Sequence, residues 1–365
     1  MALIGALAGS LAIIPPPDTG DDDKKKSDAN DAAVEAEATP GVFEQQATEA
    51  SYQTPHSTYA QGRSSTALPL KLWAQYSYGI TEDVYNRQGE TDPLSIGGPA
   101  PIGTVGESVS QRAQVGAQFD FLNLPRFQVG AGAMLSFAKT DFTAETVGQL
   151  GIGDIESDFG FQQVQVYGVA QGKTLGIHAG YSFDLGSAAV FSEPVPQLGG
   201  ARLPQEAGNS DGRDAIFVGL NFDYPSERFR LLGGVDYYAL QSGGALEDPS
   251  GNEIPGTNVE DGGDFLNFLF GAGLRFSIAE LGATFQIQTR FDEPLSGSAG
   301  LQGGIGGHVG RVVPYLRVSP PNLPASLYIK GAVPDEYLEY GYTLGGSNSP
   351  NPTIGFTAGL AIGFE

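Results

Sequence analysis

From Leu68 onward the chain keeps returning to one pattern: apolar side chains at every second position over about 10–14 residues, then a turn or a loop. The first such run places Leu68, Leu70, Leu72, Ala74, Tyr76, Tyr78 and Ile80 on one face and Lys71, Trp73, Gln75 and Ser77 on the other. The second alternates Val109, Ala113, Val115, Ala117, Phe119 and Phe121 with Arg112, Gln114, Gln118 and Asp120. The third carries Phe127, Val129, Ala131, Ala133, Leu135 and Phe137. A period of two is the signature of a strand with unlike faces, and the runs are too short and too interrupted for a spanning helix. The same texture recurs around Val166, Ile177, Leu220, Leu231, Phe270, Phe285, Leu316 and Ile329, and ends at Ile354–Phe364. About twelve strands result.

The connections alternate in length. Short turns are expected at Leu122–Arg126, Gln171–Thr174, Pro225–Arg228, Ile278–Leu281 and Ser319–Pro324. Long polar loops are expected at Thr81–Glu107, Thr140–Ser157, Gly186–Gly212, Gln241–Gly263, Asp292–Gly307 and Pro334–Asn351. An even number of antiparallel strands with short turns on one rim and long loops on the other is the plan of a closed transmembrane barrel. Aromatics expected beside the short turns, Phe119, Phe121, Phe127, Phe183, Phe222, Tyr224, Phe229, Phe276 and Phe364, fit an interfacial girdle.

The last strand, TIGFTAGLAIGF at Thr353–Phe364, has one apolar face and one small or polar face, and the expectation is that no downstream layer covers the apolar side. Lipid would solvate such a face, and closure would remove the sheet edge. Here the chain resembles bacterial outer-membrane β-barrel proteins, whose final strand commonly ends in an aromatic; Phe364 takes that place, followed by Glu365. The resemblance implies an all-β fold: a single closed antiparallel transmembrane barrel of about twelve strands. Its short turns would be periplasmic, its long loops extracellular, and its home the outer membrane, with the bilayer as a partner.

Composition narrows the function. The 365 residues include 53 Gly and no Cys, and carry a formal net charge of -23. The absent thiol excludes disulfide scaffolds, zinc–thiolate sites and thiol nucleophiles. The acidity argues against nucleic acid as a partner. Residues 2–14 form a short apolar run like the core of a secretory signal, but the Lys or Arg that precedes such a core is missing and Pro15–Pro17 follow. Residues 15–67 are rich in Pro, Asp, Ala, Ser and Thr, with ten acidic and four basic side chains, so composition predicts a disordered tail. The expected division is therefore an N-terminal segment, 1–67, and a barrel, 68–365. The tail would lie in the periplasm, where it could hold a cell-wall partner, or enter the barrel as a plug.

By strand parity the interior receives Lys71, Arg112, Arg126, Arg230, Arg275, Arg290, Arg311, Arg317 and Lys330, with fewer acids: Asp120, Asp184, Asp223 and Asp236. Lys71, Arg126, Arg230, Arg275 and Arg317 are expected near the short-turn rim with Asp120, Asp184 and Asp223, as an ion-paired network. Arg112, Arg311 and Lys330, with Arg290, Gln114, Gln165 and His178, are the expected pore lining. Guanidinium groups there suit carboxylate or phosphate solutes. Glycines on the inner face are expected to keep the lumen open.

No phosphate loop, HExxH or dinucleotide fingerprint occurs. His56, His178 and His308 stand in no serine–histidine constellation, and the acidic loop Glu247–Asp264 lacks the spacing of a twelve-residue calcium loop. The expectation is a porin-like channel, not an enzyme, without cofactor, passing small hydrophilic solutes and anions among them. The alternatives are a plugged structural or attachment barrel and, further off, a lipid-modifying enzyme.

Overall fold

The structure, a computed structural model, describes residues 69–81, 83–85, 91–93, 105–124, 126–144, 154–194, 204–210, 212–241, 243, 247–255, 264–290, 307–320, 323–332, 349–350 and 354–363. Every regular element among them is a β-strand. Twelve strands form one antiparallel sheet. They are β1 (Leu70–Thr81), β2 (Val105–Asn123), β3 (Phe127–Ala144), β4 (Gly160–Gly172), β5 (Leu175–Asp184), β6 (Ala215–Pro225), β7 (Phe229–Leu240), β8 (Phe265–Phe276), β9 (Ala279–Arg290), β10 (Gly307–Val318), β11 (Ala325–Ala332) and β12 (Ile354–Ile362). Each pairs with its sequence neighbours, and β12 pairs with β1, from Leu72 opposite Ile362 to Ile80 opposite Ile354, which closes the barrel. Closure leaves no strand edge in the wall.

The alternation read from the sequence sets the two faces. Outward side chains stay exposed although they are large and apolar: Phe121 at 61%, Leu220 at 53% and Phe270 at 64%. In water such a belt would be a standing liability, whereas in hydrocarbon it is solvated. Inward side chains are buried and mostly polar, among them Gln75, Gln114, Gln118, Gln128 and Gln163.

Three details differ from the sequence expectation. The turn between β8 and β9 is only Ser277-Ile278, with Phe276 opposite Ala279, so Glu280 is a strand residue facing inward. Ser277 takes a φ of 50°, the left-handed value that tight hairpin turns require. Phe183 and Asp184 lie at the long-loop rim, because β5 leaves its short turn at Leu175 and reaches the far end at Asp184. The long loops also carry strands of their own. Asp83–Tyr85 pairs with Thr91–Pro93 and with Ser349–Pro350, Ile155–Glu156 pairs antiparallel with Asp141 and Phe142 of β3, and Val190–Phe191 pairs with Pro204–Glu206.

Glycines on the inner wall do not simply leave room. Each of several sits directly opposite a large side chain that lies over it: Gly116 under Trp73, Gly359 under Tyr328, and Gly282 under Tyr315. A Cβ at any of these glycines would collide with the ring, so the small residue is what lets the aromatic lie flat along the wall.

Candidate functional site

The stagger of the strands ties the inner wall into a spiral. Residues directly opposite one another, strand after strand, run Arg275–Glu280–Arg317–Tyr328–Gly359–Gln75–Gln114–Ser136–Gln163–Asp184. The row starts beside the short turn at Ser277 and ends at the long-loop rim. It climbs because barrel strands tilt while their hydrogen bonds run across them.

Along the middle of the row the polar side chains bond in series. The Tyr328 hydroxyl donates to Gln75 Oε1 at 3.0 Å, reaching across Gly359 on the strand between them. The Gln75 amide donates to Gln114 Oε1, and Gln114 Nε2 donates to Ser136 Oγ at 2.9 Å. Further along, Ser182 Oγ donates to Gln163 Oε1 at 3.0 Å. Glutamine suits such a belt because each amide both donates and accepts.

The short-turn end of the row is ionic. Arg230 donates to Asp223 through two bonds, Nε to Oδ1 at 2.8 Å and Nη2 to Oδ2 at 2.6 Å. Its Nη1 lies 3.7 Å from Glu280 Oε1. Glu280 also accepts from the Tyr315 hydroxyl at 2.8 Å and lies 3.7 Å from Arg275 Nε. Arg275 is half exposed and donates to the Ser226 carbonyl at 2.9 Å. A second, separate pair joins Lys71 Nζ to Asp120 Oδ2 at 3.4 Å, and Gln118 Nε2 donates to Asp120 Oδ1 at 2.7 Å.

The sequence-derived rim network therefore needs correction in its membership. Arg126 is exposed in the turn between β2 and β3 rather than in the buried cluster. Asp184 is at the opposite rim, where it accepts from the amides of Gly186 at 2.7 Å and Arg213 at 3.1 Å and from Ser210 Oγ. Parity assigned it to the inner wall, but parity says nothing of height. Glu280 was missed, because a turn drawn as far as Leu281 removed it from the strand. Its signal was the two-residue hairpin spacing between Phe276 and Ala279.

Of the expected lining, Arg112, Gln114, Gln165, His178 and Lys330 are buried on the inner face. Lys330 Nζ lies 5.7 Å from the centre of the Tyr328 ring. His178 Nε2 is 2.8 Å from Asp236 Oδ1. Arg290 and Arg311 sit in β9 and β10, opposite Gly307 and Gln286. The side chains of Arg290, Arg311 and His308 lie outside the described residues, as do His56, Phe364 and residues 1–67. In the acidic loop, Asp248 accepts from the amides of Ser250 at 2.8 Å and Asn252 at 2.9 Å, and Asp264 accepts from the Leu240 amide at 3.1 Å and from the Tyr237 hydroxyl. These carboxylates hold backbone amides and, at Asp264, a tyrosine hydroxyl.

No protein-family model and no curated protein matches the chain. Among solved structures it is similar to an outer membrane channel from Pseudomonas putida F1, with a TM-score of 0.57 and 9% identity over 82% of this chain and 97% of that one. The β-domain of the Bordetella autotransporter BrkA gives 0.46 at 10% identity over 81% and 100%, and the transport unit of the Escherichia coli autotransporter AIDA-I gives 0.44 at 11% over 88% and 97%. At such identities the likeness is one of fold, and of these three only the first, above 0.5, bears weight.

The protein is a closed twelve-stranded β-barrel with an apolar, membrane-type exterior and the fold of that outer membrane channel.

The barrel's own surface suits a membrane. Aromatics flank the apolar belt at both rims: Phe119, Phe121, Phe127, Tyr224, Phe229 and Phe276 toward the short turns, and Phe159, Phe161 and Phe183 toward the long loops. Phe183 packs tilted against Tyr181 with ring centres 4.6 Å apart, and Phe161 packs tilted against Phe137 at 4.6 Å. Rings of this kind are favoured at the headgroup level of a bilayer.

Proposed function

We propose that this outer-membrane barrel is a porin-like channel for passive diffusion of small hydrophilic solutes, anions among them, with its short turns in the periplasm and its long loops outside. The observation that carries the reading is the polar inner wall, bonded in series from Tyr328 through Gln75 and Gln114 to Ser136, inside a barrel whose exterior is apolar. A wall of amides and hydroxyls exchanges hydrogen bonds with water and solutes, which an apolar bore does not. Arg112, Arg311 and Lys330 bias passage toward anions, and the acidic loops oppose that bias. Single-channel recording in planar bilayers tests the reading: steady open currents are expected, and replacing Arg112, Arg311 and Lys330 by Gln shifts the reversal potential toward cations. A sealed membrane ends the channel reading; an unshifted potential removes these three from selectivity.

A second reading, a plugged barrel, is favoured by charge. The segment 1–67, whose residues 15–67 hold ten acidic and four basic side chains, matches in charge an inner wall with more Arg and Lys than Asp and Glu. Deleting residues 1–67 raises conductance if the segment fills the bore and leaves it unchanged otherwise.

A further inference from the structure

Among the described residues at the short-turn end of the lumen, Arg317 is a buried cation that makes no ion pair. Arg317, on β10, is 6% exposed. Its register neighbours are Glu280 on β9 and Tyr328 on β11. Glu280 is directly opposite, the natural partner for a guanidinium, yet its Oε1 accepts from Tyr315 at 2.8 Å and lies 3.7 Å from Arg230, and its Oε2 lies 3.7 Å from Arg275. Tyr328 commits its hydroxyl to Gln75 at 3.0 Å. Among the described residues no hydrogen bond or ion pair is made to Arg317, and its Nε is buried without a partner. In the same cluster, the guanidiniums of Arg230, Arg275 and Arg317 stand against the carboxylates of Asp223 and Glu280, three against two, an excess of one positive charge.

A buried ion without a counter-ion is strongly disfavoured, and a guanidinium cannot shed its proton to escape the penalty. Asp223 cannot relieve it, being held by both bonds of Arg230. Lys330, diagonal to Arg317 across β10 and β11, adds a second cation of the same face rather than a carboxylate. The low-dielectric wall focuses that field into the bore.

We propose that Arg317 is an oxyanion-binding site at the short-turn end of the lumen, taking the carboxylate or phosphate group of a small solute through the guanidinium fork, with Lys330 as a supporting cation. This deepens the channel reading, on which it rests for its biological meaning, and moves the first solute contact from Arg112 and Arg311 to a residue that parity alone placed in a closed ion network.

The test is calorimetric titration of the detergent-solubilised full-length protein with inorganic phosphate and, separately, with acetate. Wild type binds, Arg317→Gln weakens binding at least tenfold, and Arg317→Lys, which keeps the charge and loses the fork, falls between them. Retained heat-modifiable mobility on gels certifies each variant as a folded barrel; removing an unpaired buried charge favours folding rather than hindering it. Binding in Arg317→Gln equal to wild type overturns the site, as does absence of binding in wild type. Conductance is recorded on the same preparations. A barrel that binds phosphate through Arg317 but carries no current keeps the site and loses the channel; one that conducts but binds equally without Arg317 keeps the channel and loses the site.

Discussion

Arg230 grips Asp223 through two parallel bonds, one residue on each of the adjacent strands β7 and β6, both deep in the wall. The fork also faces Glu280 from the next hairpin, at 3.7 Å, so a single guanidinium joins two strand pairs at the short-turn rim.

Removing one side of this pair is therefore expected to cost far more than a surface ion pair. Asp223→Ala removes both of these bonds from the buried Arg230 guanidinium, and the loss is about 3–5 kcal/mol. Urea unfolding of the barrel in lipid vesicles measures it. Arg230→Lys, which cannot make the paired bonds, is expected to fall between wild type and Asp223→Ala.

Gly116 and Trp73 form a lock whose halves cannot be changed independently. Gly116→Val drives the new side chain into the indole and destabilises the barrel by about 1–3 kcal/mol, the usual range for overpacking. Combining it with Trp73→Ala frees that space, so the double variant is less unstable than the sum of the singles. A double-mutant cycle of unfolding free energies reads the coupling, and strict additivity would refute the contact.

Leu220 is on the outward face of β6, at about mid-strand. Leu220→Arg places a charge in hydrocarbon and is expected to cost about 2–4 kcal/mol in a bilayer. The neighbouring inward position Asn221 donates to Gln171 Oε1 at 2.9 Å, so Asn221→Leu costs through a lost hydrogen bond instead, about 1 kcal/mol. Unfolding in vesicles distinguishes the two; equal penalties would contradict the assignment of faces.

Ser277 occupies the left-handed turn position between β8 and β9. Ser277→Val is expected to lose about 1–2 kcal/mol, since a branched side chain resists positive φ. Ser277→Gly relieves the strain and does not lower the unfolding midpoint.

What the amino-acid sequence determined was the alternation, and with it nearly everything that depends on alternation alone. A period of two distinguishes the Leu70, Leu72 and Tyr76 face from the Lys71, Trp73 and Gln75 face without any knowledge of neighbours, and repeated runs between unequal connections count the strands. Only the tertiary structure decided height and company. Whether Asp184 meets Asp223 depends on the direction of β5 and on the stagger that makes the inner row climb from Arg275 to Asp184, and neither is encoded in parity. The same stagger sets Trp73 over Gly116 and Tyr328 over Gly359, and it draws Glu280 toward Arg230 and Tyr315, so that Arg317, opposite Glu280 in register, makes no ion pair among the described residues. Local periodicity is a property of each strand by itself, whereas pairing across a closed barrel is fixed only when all twelve registers are satisfied together.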